Sequence, residues 1–203
     1  LMHSGYYYKL IRLKKSPPSE YLNNLVIFKW QSYLTFITGI LLLIIIYYYN
    51  STILMVDKRV LEISSFNAIL VSILSLVIFW FIYDFLCKSK IIKNNVLFIS
   101  IIFILLALVS FGLTKIFGPQ FAFLSVGLII GSNMFGNVFT VIIPNQKNII
   151  NSSLKNEKFD TSLSLAAKQR SIHNNYSTFL VLFIMLSGHY SFIVYHKYNW
   201  LIL

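Results

Sequence analysis

Five apolar runs constrain this chain more than anything else in it. They cover about residues 33–49, 66–86, 96–113, 121–143 and 176–195. Each has about the 17–25 residues that a helix needs to cross the hydrocarbon core of a bilayer. Backbone groups in lipid must be satisfied within their own segment, so helices are the expected form. The runs are continuously apolar, with none of the alternation of a strand lining a watery lumen. The expected fold class is therefore all-α, a polytopic transmembrane bundle forming a single domain over 1–203. Partial helices are expected at both ends, because "LMHSGYYYKL" reads as the end of one helix and "WLIL" as the start of another.

Composition agrees. Apolar and aromatic residues make up 57% of the chain and charged residues only 11%, against about 25% charged in a soluble domain. The net charge of +11 does not point to nucleic acid, since the basic residues sit in short loops rather than on one face. Alternate loops hold 13 of the 17 Lys and Arg residues. By the positive-inside rule the start of the chain is expected on the cytoplasmic side of a bacterial inner membrane. The stretch 147–168 reads as a mobile cytoplasmic loop, and Pro144 as the end of the fourth span. The lone Cys87 allows no internal disulfide and reads as an incidental thiol.

A few polar residues need explaining. Asp84 lies within the second apolar run, where a carboxylate is expensive and marks function or pairing. Lys88, four residues on, is a ready partner. Asn133 and Asn137 share one helix face, and Gly127, Gly131 and Gly136 permit close helix approach. His173 and His189 stand at the two ends of the fifth run, about 24 Å apart at the rise of a helix. They cannot hold one metal together. In separate layers His3, His173 and His189 are candidate ligands for haem b, or simply hydrogen-bonding residues. No phosphate-binding glycine loop, HExxH or GxSxG motif is present. A transporter is a further alternative, but no inverted repeat supports it.

"NVFTVIIPNQK", followed by "AKQRSIHNNYSTFLVLFIMLSGHY", resembles the membrane domain of the membrane-bound, cytochrome-c-linked urate oxidase (urate hydroxylase) family. "FKWQSYLTFITGILLL" and "IYDFLCKS" resemble earlier helices of the same family. The resemblance implies eight membrane helices and a C-terminal cytochrome c domain, of which this chain would be a fragment. It implies oxidation of urate to 5-hydroxyisourate, with electrons passed to cytochrome c. The chain departs from the family pattern at Gly188 and Ser191, where Asn and Pro are expected. It has no CxxCH, so c-type haem would sit on a missing domain or a partner.

Urate is a flat, amide-rich anion, which calls for a guanidinium and planar amides. His173 and Arg170 are the expected catalytic residues, and Gln146, Asn174, Tyr176 and Asn137 the expected substrate contacts, with Gln169 close by. The expected partners are urate, a cytochrome c and the lipid bilayer. The alternative function is a non-catalytic subunit, either a b-type electron carrier or an anchor in a redox complex.

Overall fold

The computed structural model describes residues 2–3, 6–7, 19–155 and 160–202, with side chains from Trp30 onward except those of Lys93, Ser153 and Leu154. Near the start, β1 (Met2–His3) pairs antiparallel with β2 (Tyr6–Tyr7), so these residues are extended rather than the tail of a helix. Helix α1 (Ser19–Leu42) runs on into a π-helical segment, Leu43–Tyr48. The short α2 (Ser51–Leu54) leads to α3 (Ser65–Lys88), α4 (Asn95–Thr114) and α5 (Pro119–Asn137). A second π segment, Val138–Ile142, joins α5 to α6 (Ile143–Leu154). Then come α7 (Thr161–Ser187), α8 (Ser191–Val194) and α9 (Asn199–Ile202).

Among the described residues four stretches, rather than the expected five, are long and apolar enough to cross a membrane: Trp30–Tyr48, Ser65–Lys88, Asn95–Thr114 and Pro119–Ser152. The fold is the expected all-α bundle. The fifth run differs in shape from its reading. Its helix starts at Thr161, well before the apolar residues, and stops at Ser187, just before Gly188. The start is set by Asp160, whose carboxylate accepts from the Ser162 N–H at 2.8 Å and so caps α7. Hydrogen bonds from the Ser162 hydroxyl and N–H hold the Asp160 carboxyl below the usual carboxylate range.

Helix also occupies most of 147–168, where the sequence reads as a mobile loop. Pro144 does not end the helix there. It follows the π segment, where the Ile143 N–H reaches back five residues to the Val138 carbonyl. That wider turn accommodates a residue with no N–H of its own. The other starts follow ordinary rules. Ser64 and Asn94 cap α3 and α4 by accepting from the N–H groups of Asn67 and Leu97, and Pro119 occupies the first turn of α5.

Helix α5 is the centre of the bundle and packs on α1, α3, α4 and α7. Phe121, Ala122, Val126 and Ile129 along it are buried. A Cβ on Gly136 would lie 2.5 Å from the Trp80 ring, so only glycine lets α3 and α5 approach this closely. Large apolar side chains such as Ile45, Phe81, Phe85, Phe103 and Leu108 face outward. An outer surface this apolar suits lipid rather than water.

Candidate functional site

The polar residues of three helices, α3, α5 and α7, converge at one end of the bundle. Arg170 on α7 is 3% exposed. Its Nη2 donates to Asp84 Oδ1 on α3 at 2.6 Å, and its Nη1 to Asn137 Oδ1 on α5 at 2.9 Å. Asp84 Oδ2 accepts from Lys88 Nζ at 2.5 Å. The carboxylate is thus shared between a buried and an exposed cation. The Lys88 pairing expected from the sequence is present, and the structure adds Arg170. Removing one partner of a buried ion pair costs about 3–5 kcal/mol, because the other charge is left stranded.

Asn137 also links outward. Its amino group donates to Tyr83 Oη at 2.9 Å and to Asn174 Oδ1 at 2.8 Å. Asn174 in turn donates to the Met134 carbonyl at 3.0 Å. Tyr83 Oη lies 2.9 Å from His173 Nδ1, and Cys87 Sγ 3.8 Å from the same nitrogen. The Phe98 ring of α4 stacks on His173, with centroids 5.0 Å apart and planes 18° from parallel. The Arg170 guanidinium sits over the Tyr83 ring at 5.1 Å, a cation–π contact.

Local sequence explains this convergence. Arg170, His173 and Asn174 are spaced i, i+3, i+4 and share a face of α7. Tyr83 and Cys87 share a face of α3 in the same way. Asn137 is the last residue of α5 before the π segment.

Of the residues expected from sequence, Arg170, His173, Asn174 and Asn137 are brought together here. Gln146 and Tyr176 are exposed and form no hydrogen bond with the cluster. His189 is exposed near the end of α7. The side chain of His3 lies outside the described residues. Sequence reasoning missed Tyr83 and Phe98 and dismissed Cys87. The one signal, for Tyr83 and Cys87, was their position close to Asp84 and their i,i+4 spacing; Phe98 had none.

A cavity of about 740 Å³ runs between α1, α5 and α7. Its walls include Phe36, Phe123 and Ile184, with Asn174 toward the cluster and Gln120 and His189 toward the opposite end. A smaller cavity of about 470 Å³ adjoins that opposite end, lined by Asp57, Arg59, Gln120 and Tyr195 among others.

A haem held by two histidines needs both imidazole nitrogens aimed into one slot. Phe98 covers one face of His173 and Tyr83 engages its Nδ1, while the side chain of His3, its expected inner-layer partner, lies outside the described residues. His189 borders the larger cavity, but His173 does not line it. Among the described residues no three His, Cys, Asp or Glu side chains gather as a metal site.

Fold and site together define a class: a helical bundle suited to a membrane, with a buried ionic and amide cluster joining its helices at one end. The urate oxidase N-terminal family matches the chain over residues 1–203, and the chain belongs to that family. No curated protein and no solved structure matches it.

Proposed function

We propose that this chain is the membrane domain of a urate oxidase that converts urate to 5-hydroxyisourate and delivers the electrons to a cytochrome c. The overall change adds water to urate and releases two protons and two electrons. The observation that carries this reading is the cluster of Arg170, His173, Asn137 and Asn174 in a chain of the urate oxidase N-terminal family. Its chemistry suits a planar anion, with a buried cation, two carboxamides and an imidazole between aromatic rings.

In this reading His173 meets the substrate. Arg170 is anchored by Asp84 and Asn137, so it supplies positive potential and holds the amides in place. The excess of basic residues in alternate loops supports a cytoplasmic position for the cluster, in a bacterial inner membrane. Electrons would leave toward the opposite face, where a cytochrome c domain or protein would accept them.

The test uses membranes carrying the complete protein, given urate and oxidised cytochrome c. Loss of urate in step with cytochrome reduction is the expected result. A second reading, a non-catalytic anchor subunit, is favoured by one observation: both terminal nitrogens of Arg170 are already committed within the bundle. Urate left intact by folded, membrane-inserted protein would select that reading.

A further inference from the structure

Arg170 fixes the direction of the hydrogen bonds around it. A guanidinium carries five N–H donors and no acceptor. The Asn137 atom facing Arg170 Nη1 is therefore the amide oxygen. The Asn137 amino group must point the other way, and it does, toward Tyr83 Oη and Asn174 Oδ1. Asn174 offers an independent check. Its amino group meets the Met134 carbonyl, which can only accept.

A phenol has a single proton. Tyr83 Oη already accepts from Asn137, and His173 Nδ1 at 2.9 Å is a stronger acceptor for its proton than the neighbouring Cys87 sulfur. That contact carries the tyrosine proton, so Nδ1 accepts. The Cys87 thiol, 3.8 Å from the same nitrogen, is a weak donor acting in the same sense. An imidazole that accepts at Nδ1 holds its own proton on Nε2. Nε2 has no hydrogen-bond partner among the described residues. The alternative, a doubly protonated ring, would leave Tyr83 Oη facing donors on both sides and would set a second cation beside Arg170.

We infer that Tyr83 is a positioning residue which, oriented by Arg170 through Asn137, holds His173 as its Nε2–H tautomer, so that His173 offers a hydrogen-bond donor to an anionic oxygen or nitrogen of a planar heterocycle. The donor role rests on the urate oxidase reading. The tautomer rests on the bundle alone. In this arrangement His173 does not remove the first proton from the substrate at Nε2, because that nitrogen already bears one. It stabilises negative charge as the heterocycle is oxidised.

The test is nitrogen NMR of the full chain in lipid nanodiscs, with its 4 histidines labelled with nitrogen-15. The His173 signals are assigned by their loss in His173→Gln. At neutral pH the wild type is expected to show a protonated Nε2 and a bare, hydrogen-bonded Nδ1. Tyr83→Phe is expected to shift His173 toward a mixture of the two tautomers. A wild-type His173 protonated on Nδ1, or on both nitrogens, overturns the proposal whether or not urate is consumed. The donor role is read separately, by urate turnover. His173→Gln keeps an N–H near the Nε2 position and His173→Asn does not, so His173→Gln is expected to retain more turnover. An equal loss in both variants overturns the donor role and leaves the tautomer standing. If the wild type shows the expected tautomer and leaves urate intact, the urate oxidase reading fails and the donor role fails with it.

Discussion

Among the described residues there are two arginine–aspartate pairs, one at each end of the bundle. Arg59 meets Asp57 at 2.9 Å across two residues of loop, and its side chain is 85% exposed. Arg170 meets Asp84 at 2.6 Å across helices α7 and α3, and its side chain is 4% exposed. The chemistry is the same and the consequences differ. Water and salt screen the loop pair, which fastens only its own turn. The buried pair has lost its water, so each charge depends on the other, and together they tie two distant parts of the chain. The buried cation also orients amides and a phenol around it, which the exposed one does not. Charge becomes an organising element only where the bundle excludes solvent.

That contrast can be broken in several places. The largest effect is expected from Arg170→Met, which strands Asp84 with only the exposed Lys88. A loss of about 3–5 kcal/mol in the free energy of unfolding in detergent follows. The double variant Asp84→Leu with Arg170→Met should recover much of it, and failure to recover would mean the pair is not what makes Arg170 matter. Next comes Gly136→Leu, which drives a side chain into the Trp80 ring. It should cost about 1–3 kcal/mol by overpacking, and Trp80→Leu should relieve part of that cost in a double-mutant cycle.

Two asparagines one turn apart sharpen the comparison further. Asn137→Leu removes the partner of Arg170, Tyr83 and Asn174 together and should destabilise by about 1–3 kcal/mol. Asn133 Oδ1 is buried with no hydrogen-bond partner. Asn133→Leu should therefore leave thermal stability unchanged or raise it, and a marked fall would show that this oxygen has a partner of its own. The smallest effect belongs to the loop pair. Hydrogen bonds from the Arg59 side chain, then from its N–H, hold the Asp57 carboxyl below its ordinary value. A lowered carboxyl stabilises the fold at neutral pH, and that contribution fades as pH falls through the depressed value. Asp57→Asn should flatten this acid limb in a melting series, with a small loss at neutral pH that vanishes in acid.

Much of this architecture is legible in the sequence because the bilayer imposes it. Apolar runs of crossing length leave few alternatives to helices, and α3, α4 and α5 lie close to their expected ranges. The start of α7 was hidden because its first turns are polar, with Ser, Lys, Gln and Arg that also suit a loop. Packing on α6 and the Asp160 cap decide the matter. Pro144 misled because the π turn that accommodates it has no signature in local composition. Within the site, Arg170, His173 and Asn174 were readable as one short motif, close together in sequence. Tyr83 was not, being one of 13 tyrosines and 90 residues from the histidine it meets. Gln146 and Tyr176 were drawn in by their nearness in sequence, but the helix turns them outward.

The central claim is that the buried cluster on α3, α5 and α7 is where urate is oxidised. The most direct measurement is the rate of urate loss in membranes holding equal amounts of folded wild-type protein and His173→Ala. Steady consumption by the wild type and none by the variant is the expected result. Equal consumption by both would contradict the claim and move the chemistry away from this end of the bundle.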